Sequence, residues 1–308
     1  MAERTKVRFP VGGTEVVALH YAGSNGVCVV MAPGGGVLKE PGTDRFAARF
    51  QAAGFGVLAI DFRGFGESGG AARDVIKPRG QRADLRAAVG FAAGLPGVER
   101  VAVWGFSLGG GLALAVASRD RRVDAVIAQT PFVSGLASSP NALRHETIGV
   151  VLGFPFLALR DVGRACVGRD PLVVPLAAPR GSTAMLTTPD AQDGDRALNP
   201  GNRYPEWKQV VAARSVMRLG AYRPGRRARR IACPALVVVA NDDCCVLAKP
   251  GVRVAGRIPQ GELVRVEGGH YAPFLDAHEQ VVAAELEFLH RHLVACQAVR
   301  HAEARGHQ

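Results

Sequence analysis

The chain has 308 residues, enough for one large domain or for a domain with an insertion. Hydrophobic residues make up 48% of it, yet no apolar run is long enough to cross a bilayer, which argues against a membrane-spanning protein. The six cysteines show neither a metal-ligand spacing nor a disulfide framework, and the first ten residues lack the apolar stretch of a secretory signal. We therefore expect a cytoplasmic protein.

The formal net charge is +11, and most of it comes from arginine. Such an excess can favour nucleic acid or anionic membranes as partners. However, the densest cluster, at residues 223–230, has no interleaved aromatic residues and directly precedes a predicted strand. We interpret it as a solvated linker and expect a small-molecule substrate and no nucleic acid. The sequence is compatible with a homodimer but does not specify the oligomeric state.

Short apolar runs along the chain predict a sheet. Residues 6–10 and 15–21 alternate apolar and polar residues around two glycines, which predicts an antiparallel hairpin. Apolar runs predict buried strands at residues 27–32, 56–62, 101–104, 123–129, 234–240 and 263–266. Periodic patterns predict helices at residues 46–53, 79–93, 110–117 and 276–293. Because each crossover is long enough for a right-handed βαβ unit, we predict an α/β fold with a mostly parallel, eight-stranded sheet flanked by helices.

The alternation of strands and helices breaks down between residues 133 and 230, where Pro, Gly and Arg are frequent. Helical fragments are predicted near residues 142–159 and 205–219. We interpret this segment as an inserted cap over the carboxyl ends of the strands, where ligands bind in open α/β sheets. The core then comprises residues 1–132 and 231–296, and residues 297–308 form a polar tail.

A nucleophile motif lies at residues 105–109, which read Gly-Phe-Ser-Leu-Gly. A buried strand precedes it and a small-residue helix follows it, which is typical of a nucleophile elbow. Gly105 and Gly109 leave room for a sharp turn that exposes the hydroxyl of Ser107. The backbone N–H of Leu108 opens the helix, where it can bind an oxyanion.

A serine nucleophile needs a base and an orienting acid, which follow in the order acid and then histidine in this topology. The strand at residues 234–240 runs into Asp242 and Asp243, and the strand at residues 263–266 runs into His270 behind two glycines. We predict His270 as the base. Asp243 is the predicted acid because it leaves room for a short turn after the strand, with Asp242 as the alternative.

The oxyanion site needs a second N–H donor, and the loop at residues 33–36 is its natural source, with Gly35 as the predicted donor. Phe106, Trp207 and Tyr271 are predicted to contact the substrate. Apolar residues of the cap predict a pocket for an acyl group: Phe154, Phe156, Trp207 and Met217. We predict neither a metal site nor a cofactor.

Together these motifs resemble the α/β-hydrolase superfamily, in the branch of serine esterases and thioesterases with dienelactone-hydrolase-like proteins. The resemblance also includes the Asp-Phe-Arg-Gly-Phe-Gly-Glu-Ser stretch at residues 61–68, and it covers residues 26–132 and 231–293. Two departures stand out. Pro33 occupies the position of the usual His-Gly of the oxyanion loop, and Pro250 comes later after the acid than is common in the family.

The resemblance implies a cofactor-free serine hydrolase that cleaves a carboxylic ester through a Ser-His-Asp triad and an acyl-enzyme intermediate. One alternative is a thioesterase or acyltransferase that acts on a carrier-bound or coenzyme A acyl group. An alternative of another class is a non-catalytic, hydrolase-like binding protein. The triad motifs alone do not separate the first two, and they give neither the natural substrate nor the acyl length.

Overall fold

The computed structural model describes residues 4–295, and a single large sheet runs through it. In chain order the strands of this part are β1 (Arg4–Val11), β2 (Thr14–Tyr21), β3 (Val27–Ala32), β4 (Gly56–Ile60), β5 (Arg100–Phe106), β6 (Ala125–Gln129), β7 (Val173–Pro175), β8 (Val210–Ala212), β9 (Ala235–Ala240) and β10 (Gly261–Val266). Eight of them form one sheet in the order β1-β2-β4-β3-β5-β6-β9-β10. The pairs β1–β2 and β2–β4 are antiparallel and the others parallel. The predicted mostly parallel, eight-stranded sheet is confirmed.

Continuous apolar sequence reflects burial on both faces of the sheet. Every residue of β3, β4, β6 and β9 is buried, as expected for parallel strands covered by helices. The outer hairpin of β1 and β2 turns at Gly12 and Gly13, whose φ angles of +54° and +75° suit a tight hairpin turn.

Helices cover the sheet and fill the segment between β6 and β9. Within residues 4–295 they are α1 (Lys39–Ala52), α2 (Pro78–Ala93), α3 (Leu108–Ala117), α4 (Gly135–Arg144), α5 (Ile148–Cys166), α6 (Gly194–Leu198), α7 (Ser215–Ala221), α8 (Ala248–Ala255) and α9 (His278–Leu289). Helices α1, α2, α3, α8 and α9 pack against the large sheet. A single π-helical turn, His290–Val294, extends α9.

The predicted cap, residues 133–230, contains α4 to α7 and a small antiparallel sheet of β7 and β8. The helix predicted at residues 205–219 is wrong in its first half, because β8 (Val210–Ala212) occupies that place and α7 begins at Ser215. Val211 is fully buried where β8 pairs with β7, so tertiary pairing of β-branched residues decides the local structure. The polar tail at residues 297–308 lies outside the described residues. Among residues 4–295 no helix is both long and apolar enough to cross a membrane.

Candidate active site

Ser107 occupies a strained turn between β5 and α3. Its backbone has φ +54° and ψ −118°, a conformation that non-glycine residues seldom adopt. The backbone N–H of Ser107 donates to the carbonyl oxygen of Gln129 at 2.9 Å, which ties the turn to β6. The predicted strand, sharp turn and helix are therefore present in that order.

The glycines beside the serine are required by close backbone approaches. A Cβ at Gly105 would lie 2.3 Å from backbone atoms of Gly109. A Cβ at Gly109 would lie 2.2 Å from the carbonyl oxygen of Ala32 at the end of β3. Both distances are far below van der Waals contact, so any larger residue would open the turn.

Ser107, His270 and Asp243 form a continuous hydrogen-bonded chain. The distance between Ser107 Oγ and His270 Nε2 is 3.0 Å, and that between His270 Nδ1 and Asp243 Oδ2 is 2.8 Å. The second oxygen of Asp243 accepts the backbone N–H of Val246 at 2.9 Å. With Nδ1 donating to a carboxylate, Nε2 is left as an acceptor for the serine hydroxyl.

The choice between the two neighbouring aspartates follows from the direction of their side chains. Asp243 is buried and faces His270. Asp242 is exposed, and its carboxylate accepts the backbone N–H of Gly268 at 3.3 Å. The sequence left Asp242 open as the alternative acid, but the structure brings Asp243 to the histidine and not Asp242.

Two opposed effects act on the pKa of the buried His270. Burial lowers this pKa, because it penalises the charged ring, whereas the charge and hydrogen bond of Asp243 and the charge of Asp190 raise it. The net direction is upward, so the imidazole is a stronger base than an isolated histidine.

Asp190, a cap residue that the sequence analysis did not single out, lies within this cluster. Its Oδ2 accepts three backbone N–H groups, those of Cys244 at 2.8 Å, Cys245 at 3.3 Å and His270 at 3.1 Å. Burial acts to raise the pKa of Asp190, but hydrogen bonds from Cys244, Thr188 and His270 and the charge of His270 outweigh it and lower the pKa. No motif marks this residue, which lies 80 positions before His270.

The predicted oxyanion donors lie beside the serine. Gly35 and Leu108 are neighbours, since a Cβ built on Gly35 would lie 3.3 Å from the side chain of Leu108. Both line a cavity of about 150 Å³ together with Ser107 and His270. A cap residue bonds the loop of Gly35, because the indole N–H of Trp207 donates to the carbonyl oxygen of Gly36 at 2.8 Å.

The three residues predicted to contact substrate do not line this cavity. Phe106 and Tyr271 are buried against His270, with ring centroids 5.0 Å and 5.1 Å from the imidazole. Trp207 is buried against the Gly35 loop. All three residues therefore pack against His270 or the Gly35 loop without lining the cavity. The residues that do line the cavity are mostly apolar and include Ile76, Phe132, Leu176, Leu186 and Leu219.

A second, apolar cavity of about 420 Å³ lies between α4, α5 and α7 of the cap. It shares lining residues with the serine cavity, so the two spaces adjoin; the shared residues are Ala142, Met185, Leu186, Val216 and Cys245. Phe154 and Met217 line this space, as predicted for an acyl pocket, whereas the side chain of Phe156 is directed to solvent with 73% exposure.

One group of side chains within residues 4–295 has a spacing at which a metal ion could be held, namely Asp243, Cys245 and His270, whose ligand atoms lie within 4.8 Å of one another. Burial and the charges of Asp190 and Asp243 raise the pKa of Cys245 well above its ordinary value, which disfavours the thiolate that a metal requires. Asp243 and His270 are bonded to each other. The donor set therefore suits proton transfer better than metal binding.

The chain is similar to known proteins over most of its length. Residues 28–174 match the family model described as serine aminopeptidase, S33, a family of serine hydrolases. The quorum-quenching protein AidA of Acinetobacter baumannii (strain MDR-ZJ06) is 39% identical over 267 residues, which are 85% of this chain and 86% of that protein. The chain belongs to the α/β-hydrolase superfamily.

More distant relatives of this α/β hydrolase include a thiohydrolase, apmlB of Arthrinium phaeospermum, which is 32% identical over 54% of this chain and 53% of its own length. A polyketide transferase, grgF of a Penicillium species, is 32% identical over 53% of both. Two solved structures share the fold. DcsB in complex with its substrate analogue has a TM-score of 0.77 at 22% identity over 94% of this chain and 99% of that one. The α/β hydrolase GrgF from Penicillium sp. sh18 has a TM-score of 0.76 at 23% identity, with the same coverage.

Proposed function

We propose that this serine hydrolase cleaves a carboxylic ester, with Ser107 as nucleophile, His270 as general base and Asp243 as the acid that orients the histidine. The observation that carries the proposal is the chain of hydrogen bonds from Ser107 Oγ through His270 to Asp243, at 3.0 Å and 2.8 Å. Serine is a weak nucleophile at neutral pH and needs a base in hydrogen-bond contact. The strained backbone of Ser107 and the raised pKa of His270 support the same roles.

In the proposed first step, Ser107 Oγ attacks the carbonyl carbon of the ester while His270 Nε2 takes the hydroxyl proton. The negative charge moves to the carbonyl oxygen, and the N–H groups of Leu108 and Gly35, two residues that line the same cavity as Ser107, are the proposed donors to it. The tetrahedral intermediate collapses, the C–O bond to the alcohol breaks, and His270 returns the proton to the departing alkoxide. Asp243 stabilises the imidazolium through the Nδ1–H throughout.

In the second step, water attacks the acyl-enzyme with His270 again as base, and the carboxylic acid leaves with Ser107 restored. The apolar cavity that adjoins the serine cavity supports an acyl group of medium length as the substrate's acid part. The name of the 39% identical relative, a quorum-quenching protein, adds quorum-sensing signal molecules to the candidate substrates.

The test is hydrolysis of p-nitrophenyl esters from acetate to laurate by the native protein and by Ser107→Ala. We expect turnover that peaks at medium chains and falls roughly 10,000-fold or more in the variant. Ser118→Ala is the matched control, because the hydroxyl of Ser118 is bonded to a carbonyl oxygen at the far end of α3. Turnover that survives in Ser107→Ala would remove Ser107 as the nucleophile.

The relatives named thiohydrolase and polyketide transferase favour a second candidate, in which the same groups cleave a thioester or pass the acyl group to an alcohol. Matched octanoyl oxyester and octanoyl thioester substrates separate the candidates, since the acyl group is constant. A product ester formed on addition of an alcohol would indicate transfer. If neither substrate turns over and a fluorophosphonate does not label Ser107, the non-catalytic binding protein becomes the better interpretation.

A further inference from the structure

The side chain of Asp190 joins the two loops that carry the other members of the site. Asp190 lies in a short 3-10 turn of the cap, Pro189–Asp193, and is 9% exposed. Its Oδ2 accepts the N–H groups of Cys244 and Cys245, which directly follow Asp243, and also the N–H of His270 itself. One carboxylate of the cap therefore contacts the acid loop after β9 and the histidine loop after β10.

The residues around Asp190 leave room for its side chain and bond to it. Its other oxygen, Oδ1, lies 3.3 Å from Cys245 Sγ, whose thiol donates to it. A Cβ at Gly269 would lie 2.7 Å from the Cβ of Asp190, so a glycine beside His270 is what lets the cap residue come this close. The φ of Gly269 is not in the left-handed region, and close approach is therefore the reason for glycine here.

The two loops are also linked at the exposed end of the turn. There the backbone N–H of Asp242 donates to the carbonyl oxygen of Gly268, and the carboxylate of Asp242 accepts the N–H of Gly268. The bonds of Asp190 are buried and charge-assisted, and such bonds are about twice as strong as neutral ones. They fix the backbone of His270 directly.

We propose that Asp190 is a positioning residue of the hydrolase: it holds His270 and Asp243 in their reacting geometry from the cap and adds a negative charge beside the imidazole. This inference rests on the proposed function of the Ser107, His270 and Asp243 groups. It makes Asp190 a fixed part of the site.

The charge of Asp190 affects how the site responds to pH. Four ionisable groups lie around the imidazole, namely Asp243, Asp190, Cys245 and Tyr271. Burial raises the pKa of both Cys245 and Tyr271 well above the ordinary values, so these two stay neutral and the two carboxylates supply the charge. Because an adjacent negative charge raises the pKa of a histidine, its removal lowers that pKa and keeps the base available at lower pH.

The decisive variant is Asp190→Asn, which keeps the shape of the side chain and removes its charge. We expect kcat on a p-nitrophenyl ester to fall by roughly 10- to 100-fold with little change in KM, and the acid limb of the profile of kcat/KM against pH to move to lower pH. Asp193→Asn is the matched control in the same turn, since Asp193 is half-exposed and paired with Arg196. It should leave both quantities as in the native protein.

Gly269→Ala tests the same contact from the other side, because its methyl group would displace Asp190 without changing any charge. We expect it to lower kcat as Asp190→Asn does. Circular dichroism of each variant checks that it is folded, and the rate of Ser107 labelling by a fluorophosphonate gives a readout that needs no substrate. If Asp190→Asn does not fold, Gly269→Ala with this labelling rate decides the question.

The outcomes separate this inference from the proposed function. If the native protein neither hydrolyses esters or thioesters nor is labelled, the proposed function fails. If the native protein is active and labelled, yet folded Asp190→Asn and Gly269→Ala keep its kcat, labelling rate and pH profile, then Asp190 has no positioning role. If kcat falls but the acid limb of the kcat/KM profile stays at the native pH, Asp190 has only a structural role, and the claim about its charge is overturned.

Discussion

At the scale of single residues, the two adjacent aspartates after β9 give a sharp contrast. Asp243 Oδ2 lies 2.8 Å from His270 Nδ1, whereas the Asp242 carboxylate reaches only a backbone N–H at the surface. We expect Asp243→Asn to lower kcat by roughly 10,000-fold, because the amide favours the wrong tautomer of the imidazole. Steady-state kinetics on a p-nitrophenyl ester measures this.

Asp242→Asn is the built-in control, since it makes the same chemical change one residue away. It should leave kcat and KM close to those of the native protein. The opposite ranking of the two variants would assign the acid to Asp242.

The sequence predicted the residues that carry local signals and missed those that do not. Ser107 and His270 follow strands and lie beside glycines, so motif and order were sufficient. Asp190 carries no such signal, and its contact with His270 spans 80 residues. Phe106 lies next to Ser107 in sequence, but its ring packs against Phe274 and His270 in the core, because neighbouring strand residues point to opposite faces.

At the scale of elements, Trp207 connects the cap to the oxyanion loop. Its indole N–H donates to the Gly36 carbonyl oxygen at 2.8 Å, one residue after Gly35. We expect Trp207→Phe to keep most of the packing, lose this bond and lower kcat by about tenfold, since loss of alignment at an oxyanion donor weakens transition-state binding. The measurement is kcat across the p-nitrophenyl ester series.

The pattern across acyl lengths distinguishes this role from the substrate contact expected from the sequence. A supporting role lowers kcat equally for every ester and leaves the preferred chain length unchanged. A shift in the preferred length would show that Trp207 contacts the acyl group after all.

Helix α9 brings a carboxyl group into the core beneath β5. Glu285 is fully buried, and Trp104 Nε1 donates to its two oxygens at 3.2 Å and 3.1 Å. Burial raises the pKa of Glu285 well above the ordinary value of 4.5, and the Trp104 bond opposes this only in part. The folded protein therefore keeps a proton that the unfolded chain releases, so this group makes folding less favourable as pH rises above that ordinary value.

We expect Glu285→Gln to raise the thermal midpoint at pH 8 relative to the native protein and to change it little at pH 4. Thermal unfolding followed by circular dichroism at both pH values tests this. A midpoint difference that does not grow with pH would mean that Glu285 is ionised in the folded state.

Helices and strands were predictable from the sequence where a single hydrophobic periodicity dominates. The buried strands read as continuous apolar runs and were placed within a few residues. Helix α1 begins at Lys39, seven residues before the predicted start at residue 46, because Pro41 is accommodated in a first turn, where its missing N–H is not needed. Helix α8 was not predicted, because Pro250 and Gly251 in its first half interrupt the hydrophobic periodicity.

At the scale of the whole molecule, the two adjoining apolar cavities predict the acyl preference. Val216 of α7 lines both. We expect the larger side chain in Val216→Phe to fill the space where they adjoin, so that kcat/KM for octanoate and laurate esters falls by at least about tenfold while that for acetate is kept. The ratio of octanoate to acetate turnover is the measurement.

Val167→Phe serves as the control for this change, because Val167 is exposed beyond α5 and lines neither cavity. It should reproduce the native ratio. An unchanged ratio in Val216→Phe would mean that the acyl chain binds elsewhere.

The turn that carries Asp190 also limits how this hydrolase can be recombined with others. Exchanging caps between homologous enzymes is an obvious way to build chimaeras with a new substrate range. A chimaera that takes residues 133–230 as a block from another protein inherits a foreign turn in place of Pro189–Asp193 and leaves three backbone N–H groups beside the histidine without their acceptor. An exchange that keeps residues 189–193 of this chain retains that acceptor, and a library designed on this boundary should yield more active members than one that exchanges the whole block.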